Sequence, residues 1–214
     1  MSAFVWPSSL AAVLAIFSSG CVEVSQPLSS EKDSVVDTRL IGTWDYTEDG
    51  KATPERFVVG RKAGSTTIME LTSPNEEGST PVHTKQFGKH NYLSVLDESE
   101  DGKSKAWYVA AYDFPDKNTV RLLGLNNDKI KELIKNKKIA GTVTQKDFVD
   151  EIRITEEPAK LADFLEKNFQ ACFDHEEPTV FKRAQAANPK AKATADKKAA
   201  TDATPAKSDK GAKK

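Results

Sequence analysis

Short runs of alternating apolar and polar residues follow one another through the middle of the chain and indicate β-strands. Each run is rich in β-branched or aromatic side chains, and turn-forming stretches such as Glu48-Asp49-Gly50 separate the runs. Because connections this short join antiparallel neighbours, the pattern predicts an antiparallel meander. The predicted strands cover residues 39–47, 55–61, 65–72, 81–87, 91–97, 105–114 and 119–125.

Two later segments carry apolar residues at helical spacing instead. Helices are predicted over residues 128–136 and 156–169, and further strands at residues 150–155 and 178–183. The predicted fold class is therefore mainly β, a β-rich α+β domain in which two amphipathic helices cover a curved or partly closed antiparallel sheet. The apolar stripes comprise Ile130, Leu133 and Ile134 in the first helix and Leu161, Phe164, Leu165 and Phe169 in the second, with Asn127 and Thr155 as the expected caps.

The N-terminal residues combine an apolar stretch with a cysteine. Residues 3–17 are almost all apolar but are too few to span a bilayer, which needs about 20 such residues. They lead into Ser18-Ser19-Gly20-Cys21, and this arrangement resembles the lipobox of a bacterial lipoprotein signal peptide. An ordinary cleaved signal peptide with an incidental Cys21, or an uncleaved apolar N-terminus, is the alternative.

The lipobox resemblance implies an address for the protein. Residues 1–20 would be removed, and the Cys21 thiol would carry diacylglycerol with acyl chains such as palmitate, which hold the protein in a membrane. The protein is then expected in the cell envelope, anchored by lipidated Cys21 and facing the periplasm or the exterior. The Ser-rich stretch that follows, residues 21–37, is predicted to be a flexible tether to the folded domain.

The chain has two cysteines, so the lipidation hypothesis bears on both. If Cys21 carries lipid, Cys172 has no partner within the chain and is expected to be a small buried apolar residue between aromatic neighbours. A Cys21–Cys172 disulfide in an unlipidated protein is the alternative.

The first strand opens with Leu40-Ile41-Gly42-Thr43-Trp44, which is similar to the Gly-x-Trp signature of lipocalins and related calycin barrels. The resemblance implies a lipocalin-like barrel in which Trp44 plugs one end and an arginine near the last strand, supplied by Lys182-Arg183, stacks on it. A core aromatic at a strand start is the alternative for Trp44. Most of the domain at residues 38–183 also resembles small bacterial envelope lipoproteins of unassigned function. The resemblance lies in the order of Gly42-Thr43-Trp44, the helical segment 128–139 with Gly141, and Ile154-Thr155-Glu156-Glu157 followed by residues 161–165.

Charge divides the chain at residue 184. Residues 184–214 carry a net charge of +5 and no Val, Ile, Leu, Met or aromatic residue, whereas the remainder carries −6. A segment with so little to bury is expected to be disordered. It is either a solvated terminus or a polycationic arm that holds anionic surface polymers or lipid head groups. No nucleic-acid partner is expected, because an exported protein meets no genome and the segment has no aromatic residue for base stacking.

Residues with catalytic or metal-binding potential are scattered. His83, His90 and His175 have no second His or Cys at metal-ligand spacing, so no metal and no cofactor are predicted. The stretch Asp174-His175-Glu176-Glu177 is expected to be a solvated loop. Alternation along residues 105–114 places Trp107 on one face and Tyr108 and Tyr112 on the other, so one face is expected in the core while the other is free to line a groove.

These observations favour a non-enzymatic envelope lipoprotein whose lipocalin-like domain binds a small apolar ligand or a partner protein. Weak candidates for ligand contact are Trp44, Trp107, Tyr108 and Tyr112. The alternatives are a structural or assembly subunit with its cationic tail on anionic polymers, and a hydrolase with an unrecognised site. An apolar cavity would favour ligand binding, and a filled core with an exposed sheet edge would favour assembly. A cleft that joins His175 to buried carboxylates would favour the hydrolase.

Overall fold

The computed structural model describes residues 22–48, 50–74, 78–98, 105–146 and 149–184. The predicted signal peptide, Cys21 and all but the first residue of the predicted tail lie outside these ranges. The strands are β1 (Val22–Val24), β2 (Gly42–Glu48), β3 (Lys51–Arg61), β4 (Met69–Thr72), β5 (Thr80–Phe87), β6 (His90–Glu98), β7 (Lys105–Asp116), β8 (Thr119–Gly124), β9 (Gly141–Lys146), β10 (Val149–Ile154) and β11 (Thr179–Arg183). The helices are α1 (Asn127–Lys135), α2 (Pro158–Lys167) and α3 (Phe169–Cys172).

Eight of the strands close into an antiparallel barrel. The order is β2-β3-β4-β5-β6-β7-β8-β11, and β11 pairs back onto β2. Strands β2 to β8 form the meander that their alternation predicts, and β11 returns to the sheet after the helices. The predicted fold class, a mainly β lipocalin-like sheet with amphipathic helices, is confirmed, and the barrel is closed.

Strand β7 carries a second layer outside the barrel. It is 12 residues long, whereas its neighbour β8 has only 6. Where β8 ends, β1 takes over the same edge of β7, with Val24 opposite Trp107. Strand β1 pairs in parallel with β10, and β10 pairs antiparallel with β9. The sheet therefore continues past the barrel as β7-β1-β10-β9.

Apolar side chains form two separate cores. One fills the barrel and includes Ala110 and Tyr112 of β7. The other packs the helices and the β1-β10-β9 extension against the outer wall of the barrel, and includes Val109 and Ala111 of the same strand. The expectation that one face of β7 would be free to line a groove is therefore wrong, because the second layer covers the outer face.

Both helices start at residues other than those expected. The cap of α1 is Asn126, whose side-chain oxygen accepts a hydrogen bond from the Lys129 N–H at 2.9 Å. Helix α2 begins at Pro158, because proline at a first helical position has its backbone angle already set and lacks an N–H that would go unpaired. Thr155 therefore does not cap it. None of the described helices is long and apolar enough to cross a membrane.

The predicted tether over residues 21–37 is wrong for residues 22–37, which pack onto the domain. Val22 and Val24 are only 6% and 1% exposed, because their alternation with Glu23 directs both into the outer core. Further along, the Leu28 N–H donates to Ser94 Oγ at 3.1 Å. The Val35 N–H donates to the Thr84 carbonyl at 2.8 Å.

This packing predicts that two valines in the same segment differ sharply. Val24→Ala should lower the free energy of unfolding by about 2 kcal/mol, because it removes buried methyl groups from the outer core. Val35→Ala is the matched control and should change it by less than about 0.5 kcal/mol, since Val35 is 62% exposed. Denaturant unfolding measures the free energy change of both variants. Small and equal changes would contradict this packing and support a flexible tether.

Candidate functional site

One end of the barrel is closed around Trp44. Its side chain is fully buried, and its indole N–H donates to the Leu40 carbonyl at 2.7 Å. The Arg183 guanidinium lies 4.3 Å from the centre of the Trp44 ring. It also donates to the carbonyls of Ile41 at 2.9 Å and Arg39 at 2.8 Å. Arg183 therefore ties the end of β11 to the segment that enters β2, in the stacked arrangement that the lipocalin resemblance implies.

Gly42 permits this closure. Its φ of +142° lies in a region that residues with a side chain rarely adopt. A Cβ atom at this position would also collide with Nη1 of Arg183. The glycine and the tryptophan of the Gly-x-Trp motif thus serve one structural purpose, because Gly42 leaves room for the guanidinium that covers Trp44.

The interior of the barrel is nearly filled. Its cavity measures about 50 Å³ and is lined only by apolar side chains. The Phe57 and Phe181 rings meet there edge to face, with centroids 4.7 Å apart. Ligand pockets typically measure about 300–1,000 Å³. In this conformation the interior is a hydrophobic core with little space for a ligand.

The four candidate ligand contacts do not form one site. Trp44 lies at the closed end of the barrel, whereas Trp107 lies on the outer wall, where its ring meets His83 with centroids 4.8 Å apart. The Tyr108 hydroxyl donates to Asp97 Oδ2 at 3.1 Å. The remaining candidate, Tyr112, belongs to the polar contacts of the closed end.

Tyr112 joins a hydrogen-bonded group with Asp37 and Arg39. Its hydroxyl donates to Asp37 Oδ2 at 3.0 Å, and Arg39 Nη2 donates to the same oxygen at 2.7 Å. Burial opposes ionisation of Asp37, but the hydrogen bonds from Arg39 and Tyr112 outweigh it and lower the pKa of the carboxyl. Burial and the nearby Asp37 charge raise the pKa of the Tyr112 hydroxyl. These groups hold residues 37–39 against the barrel.

A polar cluster that the sequence analysis missed lies on the outer wall. Glu166 of α2 accepts three hydrogen bonds, each 2.9 Å long, from His90 Nδ1, the Tyr92 hydroxyl and the Lys89 N–H. His90 stacks on Phe169 with ring centroids 3.5 Å apart. Strand alternation does place His90 and Tyr92 on one face, but nothing in the sequence links them to a glutamate 76 residues further along.

Through its bonds to Lys89 and His90, Glu166 fastens α2 to the β5–β6 turn, and we call this cluster the Glu166 clamp. Burial disfavours the Glu166 carboxylate, but its three hydrogen bonds outweigh that effect and lower its pKa. Burial and the bond to Glu166 raise the pKa of Tyr92. Both carboxylate oxygens are already engaged, so Glu166 holds the turn in place rather than presenting a free base.

The remaining titratable residues of interest are dispersed. Cys172 is fully buried with a free thiol, as expected, and burial raises its pKa to about 11, so it stays protonated at neutral pH. His83 contacts the Ser29 carbonyl through Nδ1 at 2.8 Å. His175 meets the Phe169 ring with centroids 5.3 Å apart. Within the described ranges, no group of three or more His, Cys, Asp or Glu residues is arranged to hold a metal ion.

Comparison with known proteins adds no assignment. A scan against protein-family models found no match, and searches of the curated proteins and of the solved structures found no significant similarity. The lipocalin resemblance therefore stands on the geometry of Gly42, Trp44 and Arg183 and on the closed barrel.

The closed end yields a stability prediction. Trp44→Ala should lower the free energy of unfolding by about 3–5 kcal/mol, because it removes a fully buried aromatic together with its indole hydrogen bond. Arg183→Met should also destabilise, whereas Lys182→Met, its exposed neighbour on β11, should change stability by less than about 0.5 kcal/mol. A loss below about 1 kcal/mol for Trp44→Ala would contradict the sealing role.

The Glu166 clamp yields a pH prediction. A carboxyl group whose pKa is lowered by folding stabilises the protein above its ordinary pKa, here 4.5, and loses that contribution as the pH falls through the folded value. Glu166→Gln should therefore be less stable than the native protein at pH 7, with the difference shrinking below pH 4.5. Urea unfolding across that range measures it. Glu31→Gln removes an exposed carboxyl group, serves as the matched control, and should change the free energy of unfolding at pH 7 by less than about 0.5 kcal/mol.

Proposed function

We propose that the protein is a non-enzymatic envelope lipoprotein, anchored through diacylglycerol on Cys21, whose barrel domain serves as an assembly module that binds a partner protein. The observation that carries the assembly role is the filled interior. A cavity of about 50 Å³ has room for only a few carbon atoms, so binding surface must come from the outside of the barrel.

The proposed anchor has a geometric consequence. Val22, the residue after Cys21, already belongs to β1, which is bonded to β10 on one side and to β7 on the other. One residue spans about 3.8 Å. A lipid on Cys21 would therefore hold the domain directly at the head groups, with no free chain between lipid and sheet. The proposal also assigns the +5 segment, residues 184–214, to anionic surface polymers or lipid head groups.

Binding of a small apolar ligand inside the barrel is the second candidate. The wholly apolar lining of the interior and its closure by Trp44 at one end favour it. It requires side chains such as Phe57 and Phe181 to move apart, because the present space is too small. The two candidates therefore differ in whether the isolated protein retains a ligand.

Native mass spectrometry of the protein extracted from its own membrane tests the anchor and the ligand together. We expect a chain that begins at Cys21 and carries diacylglycerol, with no small molecule bound. Cys21→Ala should remain an unprocessed precursor that incorporates no labelled palmitate, and unchanged size and labelling would contradict lipidation. A retained apolar molecule that is lost in a Phe57→Trp variant would instead support the barrel as a ligand site.

A further inference from the structure

Strand β9 presents an open sheet edge. Among the described strands it alone has a single partner, β10, because the barrel strands pair on both sides and β1 and β10 each lie between two other strands. Its six residues pair with β10 in an unbroken register from Gly141 to Lys146. The other edge of β9 therefore offers backbone N–H and C=O groups to a further strand.

The edge lacks the features that usually block strand addition. The first five of its six residues, Gly141-Thr142-Val143-Thr144-Gln145, include no proline and no charged residue, no bulge interrupts the pairing, and the one charged residue, Lys146, stands at the end of the strand. Thr142, Thr144 and Gln145 are exposed, whereas Val143 is half-buried against the outer core. An added strand would place alternate side chains beside Val143 and over the outer core.

A basic patch lies where the chain enters this edge. Lys135 ends α1, and Lys137 and Lys138 follow it in the turn that leads to β9. All three are exposed, and none has a salt bridge to a described residue. The turn adjoins the edge directly, because Ile134 packs closely against Gly141. The three lysines outnumber Glu156, whose Oε2 accepts a hydrogen bond from the Ala140 N–H in the same turn at 3.0 Å, so the patch is positive although the chain up to Arg183 carries a net −6.

We propose that β9 accepts an extended, acidic segment of a partner protein as an added strand. The charge of the patch selects among the possible occupants. A second copy paired antiparallel through β9 would set the three lysines of each copy at the Lys146 end of the other strand, so like charges would meet, and the chain's own segment 184–214 carries +5. An acidic strand can form backbone hydrogen bonds with the edge of β9 and ion pairs with Lys135, Lys137 and Lys138. The inference rests on the assembly role proposed above and does not require lipidation of Cys21.

Amide hydrogen exchange on the purified full-length protein tests the proposal. The probe is a peptide of about six residues, a typical strand length, that alternates Val with Glu. We expect it to slow exchange at Thr142–Gln145 and to bind more weakly as salt rises. A peptide that is N-methylated at every residue, and so has no backbone donor on either edge, should bind far more weakly. A Val–Lys peptide should not protect the edge.

Charge reversal supplies the matched variants. Lys135→Glu/Lys137→Glu/Lys138→Glu should weaken binding about tenfold, which corresponds to three exposed charge pairs that together contribute about 1.4 kcal/mol. Lys51→Glu/Lys62→Glu/Lys117→Glu changes the net charge equally at exposed lysines elsewhere and should bind like the native protein. Circular dichroism checks that both variants fold.

Several outcomes would overturn the proposal. They are equal binding of the N-methylated peptide, absence of protection at β9, and protection that appears without peptide as the protein dimerises. Binding of phosphatidylglycerol vesicles through the three lysines with β9 unprotected would assign the patch to a lipid surface instead. Palmitate labelling tests lipidation separately, so a failure of the peptide to bind at β9 would not contradict the proposed anchor.

Discussion

The double role of β7 is the constraint on which the rest of the structure depends. One strand of 12 residues pairs with β6 from Lys105 to Tyr112, with β8 along its second half and with β1 near its start. Its inward side chains complete the barrel core and its outward ones complete the outer core. Ala106, Ala110 and Ala111 keep the strand slim enough for packing on both faces. The helices and the β1-β10-β9 extension therefore pack against a wall that the barrel and the outer core share through β7.

Closure of the barrel also decides what the interior can do. Gly42 leaves space for Arg183, Arg183 covers Trp44, and the Trp44, Phe57 and Phe181 rings line the space of about 50 Å³ that remains inside the barrel. Of these three aromatic residues, only Trp44 belongs to the Gly-x-Trp motif, and Phe57 and Phe181 join it through the pairing of β3 and β11 with β2. Side chains that stabilise the barrel by packing inside it occupy the space that a ligand would need, and in this conformation they fill nearly all of it.

Alternation and turn residues predicted the barrel because each strand of the meander carries its own signal. Strands β1 and β9, which were not predicted, carry little signal of this kind. Val22-Glu23-Val24 is too short to show a period, and β9 begins with a glycine that fits the end of a helix equally well. The Gly-x-Trp motif pointed to Trp44 and Arg183, since it states a pairing between distant residues. The Glu166 cluster has no such signature, because only the packing of α2 onto the barrel brings it to His90 and Tyr92.

The outer layer connects the two proposals through a short stretch of sheet. Strand β1 follows the proposed anchor directly, β10 lies beside it, and β9 with its open edge comes next. Neighbouring strands are about 4.8 Å apart, so the accepting edge lies about 10 Å from the anchored strand. An occupant of that edge would then be held near the membrane surface and in line with a sheet that reaches back through β7 into the barrel wall. With the proposed anchor, the partner's docking segment would therefore lie close to the membrane itself, because Val22 of β1 follows Cys21 directly and would leave no free chain for the domain to reach outward.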